Sequence, residues 1–271
     1  MKRCASLVFV TSIVVACVVG VTVASAAPTL PTLNVVVTGK TGIGVSGSKV
    51  SGAVNVKSTF SGKGSGGYGL VRLHQGVSFQ EALGAVNSHQ GNPDALTPFA
   101  SIVVSADAPG TIQTVLTPGN YVALNLTGNG PSSDVAHFTV TQSSSPASLP
   151  AAAATETSIE FGFKGPKVLH KGTIVRAENP GYLVHMDTLI GARNKAGAEQ
   201  IMALLKAGKD NQAHKLVTGS VDLQDPASPG AMQQEVLNAK PGYYVQACFM
   251  DTQDGREHTV LGMERVIQIA N

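Results

Sequence analysis

Four residues of this chain carry side chains suited to holding a soft metal ion: His185, Cys248, His258 and Met263. Three of them fall in one stretch, 240–263, which reads Lys-Pro-Gly-Tyr-Tyr-Val-Gln-Ala-Cys-Phe-Met-Asp-Thr-Gln-Asp-Gly-Arg-Glu-His-Thr-Val-Leu-Gly-Met. Pro241-Gly242 signals a turn, and Tyr243 to Phe249 is rich in strand formers, so Cys248 falls at a strand end. A polar loop through Asp251, Asp254 and Gly255 follows, with both aspartates read as turn residues. Val266 to Ile269 is the expected closing strand, which puts His258 and Met263 on the return path. One strand-loop-strand unit thus supplies a thiolate, an imidazole and a thioether. A second imidazole would complete a set suited to copper, in which the thioether is the weak fourth ligand.

The second histidine has to come from another strand of the same half. Glu178 to His185 reads as a strand, a turn, and then His185 entering the next strand. Taken alone, His185 would be a capped or surface strand residue, and Cys248 a plain buried small hydrophobe. Taken together with His258 and Met263, both read as ligands. His170 and His214 have no comparable placement and are expected in solvent.

The elements that position these residues follow from composition and pattern. Charged residues make up 13% of the 271, glycines number 30 and the formal charge is +2, which suits a β-rich exported protein. No basic run or charge asymmetry points to nucleic acid. Met1-Lys2-Arg3, the apolar run Leu7 to Val23 and Ala24-Ser25-Ala26 form a leader, residues 1–26, with cleavage expected after Ala26. Val14-Val15-Ala16-Cys17 offers a rival reading, a lipoprotein tethered through Cys17, and an uncleaved anchor is a third. With cleavage after Ala26, Cys4 and Cys17 are removed and Cys248 is the only thiol. A disulfide within one mature chain is then excluded, and no membrane span is expected in that form.

The remainder is one unit written twice. A polar stretch, 142–157, carries Ser143-Ser144-Ser145-Pro146 and Ala151 to Ala154 and is expected to be a flexible linker between units at 33–141 and 158–271. Pro109-Gly110 parallels Pro229-Gly230, and Thr117-Pro118-Gly119-Asn120-Tyr121 parallels Lys240-Pro241-Gly242-Tyr243-Tyr244. Each half carries one helical insert. Ser78 and Glu81 form a capping box in the first, and Ile201, Leu204 and Leu205 share a helix face that stops at Gly208 in the second. Period-two alternation, as in Thr111 to Leu116, fills the rest. The expected fold class is all-β: two tandem Greek-key β-sandwiches, each with one short helix.

On these residues the second half, Ile159 to Ile269, resembles the cupredoxins, the blue copper proteins, in its Pro-Gly-Tyr-Tyr…Cys, Asp-Gly…His and Gly-Met pattern. The resemblance implies one type 1-like copper per chain, held by His185, Cys248, His258 and axial Met263. Tyr243, Phe249 and aliphatic strand residues are expected to form the apolar shell. Nine residues separate Cys248 from His258 and four separate His258 from Met263, which looks more like copper nitrite reductases than small electron carriers. Met186 stands where many cupredoxins have an asparagine that steadies the thiolate. The first half looks like a diverged copy in which Asn125 takes the Cys248 position, and it is read as metal-free.

The leading functional reading is an exported protein that passes single electrons or handles copper, with a redox or copper-donor protein as partner. Against an enzyme stand the lack of any His-x-His pair and the Ala247 and Phe249 neighbours of Cys248, which leave no second ligand set. A metal-free sandwich used for adhesion or assembly remains the alternative.

Overall fold

Tyr121 and Tyr244 each follow a Pro-Gly turn, and each hydroxyl donates to the backbone oxygen four residues earlier. Tyr121 reaches Thr117 at 2.9 Å, and Tyr244 reaches Lys240 at 2.8 Å. The shared corner marks two copies of one unit in this computed structural model, which describes residues 29–271 apart from 41, 65 and 128–134. The leader read at 1–26, with Cys4 and Cys17, lies outside the described residues.

The first unit contains β1 (Thr32–Thr38), β2 (Gly42–Gly47), β3 (Gly52–Ser61), β4 (Tyr68–Leu73), α1 (Phe79–Ser88), a 3₁₀ turn (Pro93–Leu96), β5 (Ala100–Ala106), β6 (Gly110–Leu116), β7 (Gly119–Asn125) and β8 (Val135–Val140). The second contains β9 (Ala154–Ile159), β10 (Gly162–Lys164), β11 (Val168–His170), β12 (Ile174–Glu178), β13 (His185–Ala192), α2 (Lys195–Lys206), α3 (Asp210–His214), β14 (Gly219–Ala227), β15 (Met232–Val236), β16 (Gly242–Ala247) and β17 (Glu264–Ala270).

Strand order repeats between the units. In the first, β6-β3-β1-β2 faces β5-β4-β7-β8; in the second, β15-β12-β9-β10 faces β14-β13-β16-β17, with β11 added at the edge. Alternation drives the layering: along β6, Ile112, Thr114 and Leu116 are buried while Thr111 and Val115 are exposed. Leu33, Val35, Val54, Leu70 and Tyr121 fill the first sandwich. Leu169, Val175, Leu189, Leu223 and Ile267 fill the apolar end of the second.

Each helix covers the outer face of its unit's second sheet. The capping box at Ser78 and Glu81 starts α1, which lays Ala82 on the face that carries Val71 and Val122. Ile201 and Leu205 of α2 pack on Ile190, Val245 and Ala247, and Gly208, at φ +64°, follows the helix where a left-handed residue is needed. The short α3 extends this second insert. No helix among the described residues is long and apolar enough to cross a membrane.

The stretch expected as a flexible linker is tied down. Ala53 N donates to Ala147 O at 2.9 Å, Ala153 N to Ile174 O at 2.8 Å, and Gln234 Nε2 to Pro150 O at 3.1 Å. Strand β9 already begins at Ala154. The reason is backbone accounting: a segment lying against β3 and β12 finds partners there for groups that composition alone leaves to solvent.

The two units also share a sheet. Strand β15 pairs antiparallel with β6, its counterpart, through Gln233 with Thr114 and Gln234 with Gln113, so eight strands run continuously across both units. Like strand meets like strand across a local two-fold, the logic of an isologous interface within one chain. The seam is hydrogen-bonded: Thr114 Oγ1 donates to Met232 O at 2.6 Å, Gln234 Nε2 to Gln113 Oε1 at 3.0 Å, and Ser105 Oγ to Pro226 O at 2.7 Å.

Both corner tyrosines are buried, so losing one hydroxyl bond costs about 1 kcal/mol. Tyr121→Phe and Tyr244→Phe should each destabilise the chain by that amount in denaturant unfolding. An unchanged midpoint in both would show that the corners do not hold the turns.

Candidate metal centre

Strand β16 ends at Ala247, and Cys248 follows it at the rim of the second sandwich. Its backbone N donates to Met263 O at 3.2 Å; Met263 N donates to His258 O at 2.9 Å, and His258 N to Met250 O at 2.8 Å. These bonds close the loop upon itself, so Cys248, His258 and Met263 are fixed relative to one another by main chain. An Asp251–Glu257 bridge and the bonds between Thr252 and Arg256 brace the outer part of the loop. Gly255, at φ +78°, supplies the backbone conformation that tip requires.

His185 is the first residue of β13, where pairing with β14 slips twice, between His185 and Asp187 and between Asp187 and Thr188. A bulge of this kind re-aims side chains beside functional sites. Here Met186 N lies 3.4 Å from Cys248 Sγ and donates to it. The main chain at position 186 thus contacts the thiol, although the side chain there is a thioether.

Three donor atoms converge. Cys248 Sγ is 3.3 Å from His258 Nδ1 and 3.8 Å from His185 Nδ1, and the two Nδ1 atoms are 3.3 Å apart. All three residues, and Met263, are 0% exposed. Metal–nitrogen bonds of about 2.0 Å and metal–sulfur bonds of about 2.3 Å, set at trigonal to tetrahedral angles, require donor separations of roughly 3.3–3.8 Å. The side chains therefore have the spacing to hold one ion with little rearrangement. Met263 belongs to the same knot through its backbone.

The donors are buried, and that governs their protons. Burial pushes the Cys248 thiol up to about 12, against partial relief from the Met186 and Met250 amides. Burial and the neighbouring His258 pull His185 down to about 4, and burial lowers His258 as well. Burial therefore favours the uncharged form of each of the three. A bound cation would favour the thiolate, so binding would release a proton. Neither Nε2 has a hydrogen-bond partner; that of His185 is 3.8 Å from Glu160 Oε1, and the Phe161 ring lies edge-on to His258, centroids 5.4 Å apart.

No family model matches the chain, and no curated protein matches it. Among solved structures it is similar to a dithionite-reduced auracyanin from Roseiflexus castenholzii, at 16% identity over 45% of this chain and 100% of that one, TM-score 0.28. It is similar to a multicopper oxidase at 11% identity over 88% of each chain, TM-score 0.25. A third is a Cu-containing nitrite reductase from Thermus scotoductus SA-01, at 12% identity over 89% of this chain and 68% of that one, TM-score 0.26. By its own strand order the chain is a tandem pair of β-sandwich units, each with a helical insert.

Of the residues expected at the site, His185, Cys248 and His258 are brought together at one rim and Met263 is bonded to them through its backbone, while His170 and His214 are exposed on the surface. The apolar shell is a correction. Tyr243 and Phe249 pack with α2 on the outer face of the sheet, because successive strand residues alternate and Cys248 shares the inner face with Tyr244 and Gln246. Phe161, from the β9–β10 turn, is the aromatic neighbour of His258 instead.

Several site residues were missed. Gln246, two before Cys248, donates through Nε2 to Asp187 Oδ2 at 2.7 Å and to Glu156 Oε2 at 3.2 Å. Arg265 pairs with Glu156 and donates to Gln246 Oε1 at 2.6 Å. Burial raises Glu156 to about 7 and Asp187 to about 8, Arg265 and Gln246 offsetting part of it. Gln246, Asp187, Glu156 and Arg265 thus form one buried polar group within the second unit. Asp187 and Gln246 were visible as polar residues two positions from His185 and Cys248, on the inward face.

The first unit also reaches the centre. Val184 N, beside His185, donates to Asp94 Oδ1 at 2.6 Å, and Asn92 Nδ2 donates to Thr252 O at 3.1 Å. Nothing local in the sequence links residues so far apart. In that unit Asn125 occupies the place corresponding to Cys248, four residues after the corner tyrosine. It is buried, with Nδ2 donating to Gly42 O at 3.1 Å and Oδ1 accepting from Thr127 N at 2.9 Å.

The His185 ring stays neutral in the folded apoprotein far below the ordinary 6.5. Its folded-state value is depressed, so its contribution to stability is present above pH 6.5 and is lost as pH falls toward about 4. NMR of the metal-free protein should show its ring signals unchanged between about pH 8 and 5. Titration near 6.5 would mean that water reaches the ring.

Proposed function

We propose that the second unit holds one copper ion through His185, Cys248 and His258, with Met263 as the weak thioether ligand, and that the protein passes single electrons or handles copper. The observation that carries this reading is the buried convergence of two imidazole Nδ1 atoms and one thiol sulfur, 3.3–3.8 Å apart. A thiolate with imidazoles favours copper or zinc over hard ions, and the weak thioether is the feature of electron-transfer copper sites. When bound, copper would supply a one-electron couple. The chain's own contribution is to hold the donors in place, exclude water and orient the imidazoles. Glu160 Oε1 lies 3.8 Å from His185 Nε2, beyond hydrogen-bond reach.

This reading includes export, on the strength of the leader pattern in residues 1–26, and a redox or copper-donor protein as partner. It includes a first unit without a copper site, since the Asn125 amide is occupied by backbone groups and is a poor substitute for a thiolate.

Copper-loaded protein should be blue or green, with an intense visible thiolate band and one copper per chain. Cys248→Ser should lose the band. Stoichiometric Cu(II) uptake without that band in the wild type would reject the site.

Met263→Leu tests the fourth ligand. It should keep the colour and raise the reduction potential, measured by redox titration against mediators, because a weak thioether tunes the couple more than it anchors the ion. Complete loss of copper from a folded Met263→Leu protein would reject the assignment.

A further inference from the structure

A second group of ligating side chains lies away from the copper ligands, where the two units meet. Asp107, in the turn between β5 and β6, comes together with Asp222 and Asp225 of β14, and carboxylate oxygens of all three lie within 4.8 Å of one another. They border a cavity of about 430 Å³ that Glu235 also lines. No lysine or arginine lines it, so four carboxylates share one cavity without a cationic side chain among the lining residues.

The local bonds leave oxygens free. Asp222 Oδ1 accepts from Thr188 Oγ1 at 2.5 Å, and Asp225 Oδ2 accepts from Asp107 N at 3.0 Å, so each keeps its second oxygen. An independent sign of a missing partner comes from Gln233, which borders the same cavity and is 2% exposed. Its Nε2 is committed to Leu223 O at 2.9 Å, whereas its Oε1 has no hydrogen-bond partner. A buried amide oxygen left unpaired is costly, and its residue is one of those lining the cavity that the carboxylates share.

We propose that Asp107, Asp222 and Asp225, with Glu235 and the Gln233 amide oxygen at hand, bind a hard divalent cation of the calcium class at the seam between the units. Every available donor is oxygen, the set that hard cations take and soft metals do not select. Burial, reinforced by the neighbouring carboxylates, raises Asp225 and Glu235 to about 7, the strain a divalent ion would relieve. Because Asp107 belongs to the first unit and Asp222 and Asp225 to the second, the ion would pin the seam. The site shares no ligand with the copper centre and does not depend on the reading of that centre.

The test is calcium chloride titrated into the chelator-stripped full chain, followed by calorimetry and by thermal unfolding, with magnesium and zinc as comparators. One calcium per chain and a rise in the unfolding midpoint are expected. Asp107→Asn, at an exposed turn, should weaken binding roughly tenfold or more, since ligand charge sets affinity in such sites. Asp222→Asn/Asp225→Asn should abolish binding, and in chelator it should melt no lower than wild type because the repulsion is gone. Cys248→Ser should bind calcium unchanged, which separates this site from the copper centre. Folded wild type that shows neither heat nor a shift with calcium or magnesium overturns the proposal, as does binding that Asp107→Asn leaves unaltered. If the double variant does not fold, Asp107→Asn alone decides.

Discussion

The three main-chain bonds that tie Cys248 to Met263, Met263 to His258 and His258 to Met250 set the terms for the rest of the second unit. Buried backbone groups must be paired, and a loop that pairs them internally has few ways to rearrange. The thiol and one imidazole are therefore held at a set separation before any ion arrives. His185 is brought in from a different strand, and the double slip at the start of β13 orients it. A loop closed on itself and a bulged strand together make a pocket whose donors are fully buried.

That burial has a cost. Asp187 and Gln246, two residues from His185 and Cys248, are bonded to each other and to the Glu156–Arg265 pair, which compensates only part of their burial. Removing one member would strand the others, so the group behaves as a unit, bracing the strands that carry His185 and Cys248. The bracing continues into the first unit, where Asp94 and Asn92 bond the backbone beside His185 and in the His258 loop. The first unit thus helps to hold the backbone around His185 and the His258 loop.

The two copies show how one frame carries different contents. Tyrosine corner, helix position and strand order recur, yet four residues past the corner one copy has Cys248 and the other Asn125. Asn125 satisfies its amide with the backbone of residues 42 and 127, which turns the rim into a hydrogen-bonded plug. The edges were put to use as well: β6 and β15, equivalent strands, cover one another and remove two open sheet edges.

Local chemistry alone determined a good deal. The Ser78–Glu81 box, the Gly208 stop, the Pro-Gly corners and period-two alternation act over a few residues, so the β-sandwich class, the duplication and both main helices were legible. The same holds for the thiol at a strand end and the histidine opening β13, because strand boundaries follow from turn residues. The convergence of the donors, the inward direction of Gln246 against the outward direction of Tyr243, and the pinned 142–157 segment were decided only by tertiary structure. So were the shared eight-stranded sheet, the buried Glu156–Arg265 group and the Asp107–Asp222–Asp225 cluster. Each depends on pairing between residues far apart in the chain, and such pairing is set by which exposed edge and which unpaired backbone group remain once the local elements have formed.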